Sequence, residues 1–338
     1  MKELIKKVAA GENLTRAEAA QAVIKMLSGE ATVAQTSSYL TALSVKGETI
    51  DEIVGSCEGM KSQGESITPE KGHYIDFVGT GGDGSNTFNI STTSMFVCAA
   101  AGVPVAKHGN RASSSKSGAS DCLEALGVNI MLEPAQTLEC VNEIGLGFMN
   151  AQKFFAAMRF VAPARKEMGI RTVFNILGPL SNPSNARRQV IGVFDKDFCQ
   201  VMAKAMVNLG VKNAMVVYGM DKMDEVTTTT KTYVNEIKDG EIKEYYIDPA
   251  DYGIEYAKKE DLLGGTGADN AKITRDILSG KKGPQRDIVV LNSACGIYIG
   301  GKADSIEEGI KLAEEAIDSG KAMEKLEALI NKTNSFTA

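Results

Sequence analysis

The chain lacks the cysteine patterns that would indicate a metal cluster or a disulfide scaffold. Its six cysteines are scattered through 338 residues, none belongs to a C-x-x-C pair, and most lie in apolar stretches such as "MFVCAAAG". Their spacing argues against a zinc site. Buried free thiols are the better interpretation, and they fit a reducing, cytoplasmic compartment.

Long apolar runs and excess positive charge are also missing. The longest run, "MFVCAAAGVPVA", contains glycine and proline and is shorter than the ~18 residues that cross a membrane. We therefore expect no membrane span, and "MKELIKKVAAGENLTR" lacks the continuous apolar stretch of a signal peptide. The net charge is −6, which argues against non-specific nucleic-acid binding, because such binding depends on neutralising phosphates.

What is present indicates a folded protein, with 43% hydrophobic residues and a length that predicts about two domains. The first part of the chain is predicted to be helical. Three capping boxes begin 17 residues apart, at Thr15-x-x-Glu18, Thr32-x-x-Gln35 and Thr49-x-x-Glu52. In such boxes the threonine and third-position side chains satisfy free helix amides. A glycine typical of a helix C-terminus precedes each box, so we predict a small bundle of short helices.

From Tyr74 onward, short apolar strands alternate with helix-length segments, which predicts a mostly parallel sheet covered by helices. The predicted strands are "YIDFV", "VPVA", "VNIML", "GLGFM", "QVIGVF" and "AMVVYG", followed by a hairpin of "TYVNEIK" and "EIKEYYI" around Asp239-Gly240. Helices are expected around 268–279, 286–299 and 304–332. We assign residues 1–70 to a helical domain and 71–338 to an α/β domain, and expect helices around 156–180 to complete the former.

A glycine loop, Gly79-Thr80-Gly81-Gly82-Asp83-Gly84, follows the first strand and matches the dinucleotide-binding pattern G-x-G-x-x-G. A dinucleotide site also needs an acidic residue about 20 positions further on. No aspartate or glutamate lies between residues 99 and 109, and the next strand ends in basic residues instead. The loop is therefore predicted to bind a different phosphate.

Two anion sites follow from this segment. The amides of 79–83 can form a concave donor surface. Asn89, Ser91 and Thr92 mark the start of a helix, where free amides attract phosphate. The next loop, "KHGNRASSSKSG", adds Lys107, Arg111 and Lys116, although its composition also fits a serine-rich surface loop. Adjacent anion sites predict a ligand with phosphates at both ends.

Asp224 and Glu225 follow the strand "AMVVYG", so we expect them at a carboxyl end of the sheet, where α/β proteins form their sites. Adjacent carboxylates can hold hydrated Mg²⁺ and let it bridge substrate phosphates. An ordinary charged turn is the alternative, and only the neighbouring phosphate loops favour the metal site.

Together, "GTGGDGSNTFNIS", "AKHGNRASSSKSGASD", "RKEMGIRTVFNILGPLSNP" and "MDEV" stand in an order and spacing that resembles the anthranilate phosphoribosyltransferase family. The resemblance covers nearly the whole chain. It implies a small N-terminal α-helical domain and a larger α/β domain of the nucleoside phosphorylase type, dimerising through the helical part. It also implies Mg²⁺-dependent transfer of phosphoribose from 5-phosphoribosyl diphosphate to anthranilate, giving N-(5-phosphoribosyl)anthranilate and diphosphate in tryptophan biosynthesis.

The resemblance also implies roles for single residues. Those expected to bind the donor are Gly79, Thr80, Gly81, Gly82, Asp83, Thr87, Asn89, Ser91, Thr92, Lys107 and Ser115. Those expected at the acceptor are Gly79, His108, Asn110 and Arg165, and those at Mg²⁺ are Ser91, Asp224 and Glu225. No general acid or base is assigned, because an aniline nitrogen is already neutral and positioning suffices.

One position departs from the family. Where relatives usually have a histidine on the acceptor path, "AQKFFAAM" places Phe155. A different arylamine is therefore one alternative acceptor. A nucleoside-phosphorylase-like enzyme and a non-catalytic relative that binds nucleic acid are two further alternatives. The complete glycine loop and the acidic net charge favour the transferase, with no nucleic acid or membrane as partner.

Overall fold

The N-terminal helices are present as a bundle in the structure, a computed structural model that describes residues 1–70, 72–112 and 116–336. They are α1 (Lys2–Ala9), α2 (Arg16–Leu27), α3 (Val33–Lys46) and α4 (Ile50–Lys61). All three predicted capping boxes are confirmed at the starts of α2, α3 and α4, with both reciprocal hydrogen bonds made in each.

Two glycines let α2 and α4 pack closely. A Cβ added at Gly55 would lie 2.1 Å from the carbonyl oxygen of Arg16, and one at Gly59 would lie 2.6 Å from that of Ala20. Any side chain at either position would push the two helices apart, so this contact depends on glycine.

The α/β part is built on a seven-stranded sheet in the order β3-β2-β1-β4-β5-β6-β7. Its strands are β1 (Ile75–Gly79), β2 (Val105–Gly109), β3 (Leu146–Asn150), β4 (Arg188–Gly192), β5 (Asn213–Gly219), β6 (Thr232–Lys238) and β7 (Glu241–Ile247). Strands β1 to β5 are mutually parallel, and β6 and β7 are antiparallel additions. The predicted fold class and the hairpin at Asp239-Gly240 are confirmed.

Two predicted elements differ from the structure. The segment "VNIML" (128–132) is not a strand. The edge of β2 is already paired with β3, and Val128 and Ile130 are buried in the core without joining the sheet. The helix expected over 304–332 is two helices, since Gly320 adopts a left-handed φ of 79° between them.

Helices cover both faces of the sheet. They are α5 (Ile90–Ala100), α6 (Ala119–Leu126), α7 (Pro134–Ile144), α8 (Ala151–Phe154), α9 (Ala162–Met168), α10 (Phe174–Leu180), α11 (Asp197–Asn208), α12 (Gly267–Leu278), α13 (Pro284–Ile299), α14 (Ile306–Asp318) and α15 (Lys321–Ser335). Short 3-10 helices span Ala156–Phe160, Pro249–Tyr252 and Lys259–Leu262. One core joins α5 and α13–α15 to the sheet, and the other continues from the opposite face into the N-terminal bundle.

The segment between β3 and β4 contacts the bundle. The 3-10 helix Ala156–Phe160 contacts α2, α9 contacts α3, and α10 contacts α4. The boundary between the two domains stays a prediction. Within the described ranges, no helix combines the length and the apolar character that a membrane span requires.

Candidate functional site

A cleft of about 450 Å³ opens where β1, β2, β4 and β5 end. In this strand order β1 lies between β2 and β4, and such a switch point leaves a crevice beyond the carboxyl ends. The cleft brings together nearly all of the sequence-predicted site residues: Gly79, Thr80, Gly81, Gly82, Asp83, Thr87, Asn89, Ser91, Thr92, Lys107, His108, Asn110, Arg165, Asp224 and Glu225. Ser115 lies outside the described residues.

The glycine loop forms one wall of the cleft. Gly81 and Gly82 adopt left-handed φ angles of 68° and 72°, which glycine takes without strain. The amide of Gly81 donates to Oδ2 of Asp224 at 2.7 Å. A Cβ on Gly79 would lie 2.3 Å from that same oxygen, so a glycine is needed where the loop meets the carboxylate.

The N-terminus of α5 faces the loop across the cleft. The side chain of Asn89, just before the helix, is held by Asn270 Nδ2 at 2.8 Å. The amide of Ser91 donates to Oε1 of Glu225 at 3.3 Å. Thr80 and Thr92 have buried hydroxyls with no hydrogen-bond partner among the described residues. Free hydroxyls beside a helix N-terminus suit an anionic ligand.

Asp224 and Glu225 are half-buried acids that line the cleft. Burial and the nearby carboxylate of Asp83 raise the pKa of Asp224 to about 7. Burial and Asp224 raise the pKa of Glu225 to about 8. Such crowded carboxylates favour a cation between them. No three histidine, cysteine, aspartate or glutamate side chains form a complete metal site in the described part of the chain, so Mg²⁺ would need water and phosphate oxygens as further ligands.

Side chains bridge β1 and β2 where their backbones separate. The ladder between these strands pairs only Ile75 with Val105. Beyond that point the amide of His108 donates to Asp76 Oδ1 at 3.2 Å, and His108 Nδ1 lies 2.6 Å from Asp76 Oδ2. Lys107 Nζ donates to the carbonyl of Phe77. Side-chain bonds therefore hold β2 to β1 at the cleft.

This bridging places a buried cation and a buried imidazole in the wall of the cleft. Burial lowers the pKa of Lys107, while Asp76 and Glu225 oppose that shift. Burial acts to raise the pKa of Asp76, but His108 and Lys107 bring it below its usual value. The second ring nitrogen of His108 lies 2.8 Å from the carbonyl oxygen of Gly178. Because both ring nitrogens are engaged, His108 shapes the wall and has no free nitrogen for the ligand.

Arg165, on α9, also lines the cleft. Its guanidinium is 5.5 Å from the ring of Phe174, and burial lowers its pKa. The described residues give this guanidinium no ion pair or hydrogen bond. A half-buried, unpaired guanidinium is suited to receive a carboxylate from a ligand, through its planar fork of donors.

The structure differs from the sequence-based expectations at three positions. Arg111 lines the cleft, but its guanidinium is paired with Asp121 and Glu124, at 2.9 Å each. Lys116 is not among the described residues that line the cleft. Phe155 also lies outside that lining: it is 5% exposed, and its ring packs so closely on Gly64 that a Cβ there would lie 2.6 Å away.

Several residues of the site had no role predicted from the sequence. Arg171, Asn175 and Phe194 also line the cleft, and Asp76 lies beneath it. Asp76 had a local signal, since it is a charged residue in the otherwise apolar strand "YIDFV". Arg171 and Asn175 stand in the family motif "RKEMGIRTVFNILGPLSNP" but were given no role, and Phe194 had no signal beyond its place at the end of the strand "QVIGVF".

Comparison with known proteins is consistent with this architecture. Residues 2–64 match the model of the glycosyl transferase family, helical bundle domain, and residues 71–323 match that of the glycosyl transferase family, a/b domain. The anthranilate phosphoribosyltransferase of Acetivibrio thermocellus is 54% identical over 99% of this chain and 97% of its own length.

The chain belongs to the anthranilate phosphoribosyltransferase family.

Solved structures of the family share the whole fold. That of Thermus thermophilus superposes with a TM-score of 0.93 at 40% identity, covering 98% of this chain and 99% of its own. That of Saccharomyces cerevisiae, in complex with PRPP and Mg, gives a TM-score of 0.91 at 29% identity, covering 98% and 97%. A further structure of the yeast protein contains 4-fluoroanthranilate, with a TM-score of 0.90.

Proposed function

We propose that this protein is an anthranilate phosphoribosyltransferase of tryptophan biosynthesis. It moves the phosphoribosyl group of 5-phosphoribosyl diphosphate to the amine of anthranilate and releases diphosphate. One observation carries the proposal: a single cleft is lined by a glycine loop, by two adjacent carboxylates and by a guanidinium that has no hydrogen-bond or ion-pair partner among the described residues. The first two match a metal-bound diphosphate, and the guanidinium matches an aromatic carboxylate.

The donor end is suited to bond cleavage between ribose C1 and diphosphate. Cleavage builds negative charge on the leaving group, and groups that are already oriented stabilise such charge at low reorganisation cost. The amides of Gly82 and Asp83, the start of α5 and the buried Lys107 provide these groups, whereas the amides of Thr80 and Gly81 already donate to Gly192 and Asp224. The unpartnered hydroxyls of Thr80 and Thr92 are further donors for phosphate oxygens.

Asp224 and Glu225 would hold Mg²⁺, with the Ser91 hydroxyl as a further ligand. When bound, Mg²⁺ supplies positive charge opposite the diphosphate oxygens. The raised pKa of each carboxyl supports this assignment, because two adjacent half-buried acids are costly to ionise without a cation.

The acceptor end is suited to anthranilate. Arg165 would bind its carboxylate, and Asn110 and the walls around His108 and Gly79 would hold its ring. The anthranilate amine is a neutral nucleophile, so orientation against ribose C1 replaces base catalysis. Phe155 is buried and does not line the cleft within the described residues, which supports anthranilate over a different arylamine.

A second copy of this chain is the proposed macromolecular partner. A shallow apolar groove of about 590 Å³ lies between α1 and α3, and Val45 beside it is 83% exposed. Covering such a surface favours association. Light scattering after gel filtration should give twice the chain mass, and Val45→Glu should give the mass of one chain. We place the protein in the cytoplasm, where its buried free thiols stay reduced.

The test of the activity mixes the protein with 5-phosphoribosyl diphosphate, Mg²⁺ and anthranilate and follows the loss of anthranilate fluorescence. Asp224→Asn with Glu225→Gln should abolish metal-dependent turnover, and Asp276→Asn with Glu327→Gln serves as the control, because neither residue lines the cleft. Diphosphate release with another arylamine but not with anthranilate would contradict the acceptor and keep the transferase.

A further inference from the structure

The short segment between α9 and α10 joins three parts of the protein through Arg171. Its Nη2 donates to the carbonyl of Gly82 in the glycine loop at 2.6 Å. Its guanidinium carbon lies 3.7 Å from the ring centroid of Phe194, after β4. Its own carbonyl accepts a hydrogen bond from Ser44 Oγ, on α3 of the bundle, at 3.2 Å. The guanidinium and the backbone of this exposed arginine are thus both held by hydrogen bonds.

Together with Asp224, Arg171 holds the glycine loop through hydrogen bonds to two adjacent residues. On one side, the amide of Gly81 donates to Asp224. On the other side, the carbonyl of Gly82 accepts from Arg171. The loop peptides that would face diphosphate are therefore oriented by Asp224 and by Arg171. A Cβ on Gly82 would lie 3.1 Å from Arg171 Nη2, so this contact is close-packed.

Arg165 lies on the same segment, six residues before Arg171. The amide of Gly169 donates to the carbonyl of Arg165 at 3.3 Å, and this bond closes the last turn of α9. Only Ile170 lies between this turn and Arg171, so a short connection joins the two arginines. It links the guanidinium proposed for the acceptor carboxylate with the loop proposed for the donor.

We propose that Arg171 couples the two ends of the cleft, so that a filled donor loop holds the segment of Arg165 in place for the acceptor. This inference rests on the proposed function. Arg171 is a positioning residue here, since it acts through the Gly82 carbonyl. Coupling between two ligands is reciprocal, so a bound acceptor must tighten donor binding by the same factor.

Isothermal titration calorimetry tests this coupling without turnover. The donor with Mg²⁺ is titrated into the protein with and without salicylate, which has the ring and carboxylate of anthranilate but no amine. Typical couplings between ligands are about 5-fold to 150-fold. We expect salicylate to lower the donor Kd by about 5-fold or more in the unmodified protein and by less than about 2-fold in Arg171→Ala.

Arg159→Ala is the matched control, because Arg159 also stacks on an aromatic ring, that of Phe160 at 4.8 Å, but does not line the cleft within the described residues. It should keep full coupling. Arg171→Lys keeps the charge but loses the planar fork and stack, and should keep only part of the coupling. Full coupling in Arg171→Ala, or none in the unmodified protein, would overturn the inference. Failure of the unmodified protein to bind the donor at all would instead refute the proposed function.

Discussion

Magnesium binding to Asp224 and Glu225 should depend steeply on pH. The pKa of Asp224 is raised to about 7 and that of Glu225 to about 8, in both cases by burial first and then by a neighbouring carboxylate. At about pH 6 both groups are largely protonated. Mg²⁺ requires the ionised forms and must displace those protons, so its affinity rises with pH.

The size of the effect follows from these two values. Each displaced proton changes the Kd about tenfold per pH unit. With both groups protonated at about pH 6 and both ionised at about pH 9, the Kd for Mg²⁺ should fall roughly a thousandfold between these limits. The stability of the metal-free protein changes with pH in the opposite direction. The folded state binds these protons more tightly than the unfolded chain, so their contribution to the free energy of unfolding is lost as pH rises from about 4 to about 8.

Competition with Mn²⁺, whose free concentration is measured by electron paramagnetic resonance, gives the Kd for Mg²⁺ at each pH. Asp224→Asn with Glu225→Gln should bind weakly at every pH. A Kd that changes less than about threefold over the whole range would refute the reasoning, because no proton would then be displaced.

Three further predictions concern single residues. Arg165→Ala should raise the KM for anthranilate roughly 10-fold to 100-fold, the value of a charged hydrogen bond, and leave the donor KM unchanged; equal shifts in both would contradict its role. Gly79→Ala places a Cβ 2.3 Å from Asp224 Oδ2 and should weaken donor binding by about tenfold or more in calorimetry. Phe155→His should cost about 1–3 kcal/mol in urea unfolding, because it buries a polar ring, and keep the anthranilate KM within about twofold; a large KM change would return this position to the acceptor path.

The features that could be predicted from the sequence are those set by local chemistry. Each capping box is closed within four residues, and the turn at Asp239-Gly240 uses two adjacent left-handed residues, so neither needs the rest of the fold. The location of the glycine loop and of Asp224 and Glu225 could also be predicted. Each follows an apolar strand, and the carboxyl ends of parallel strands meet at the same sheet edge.

The features that could not be predicted depend on distant neighbours. The segment "VNIML" has the apolar pattern of a strand, but pattern alone does not say whether a neighbouring edge accepts it. Arg171 reaches Gly82 across 89 positions of sequence, and Asp76 reaches His108 across 32. The pairing of Arg111 with Glu124, which withdraws it from the anion site, likewise depends on where α6 packs.

The second apolar core has a consequence for anyone who wishes to express the larger domain alone. Ile191 and Val216, on the sheet, belong to the same continuous cluster as Val23 and Ile53, in α2 and α4. The bundle reaches this core through α4, which contacts α10 and α11, so a fragment that begins after α4 would expose the apolar surfaces of these two helices to water and should aggregate. The bundle is therefore a cover for α10 and α11 as well as a module of its own, and shortened versions should retain it.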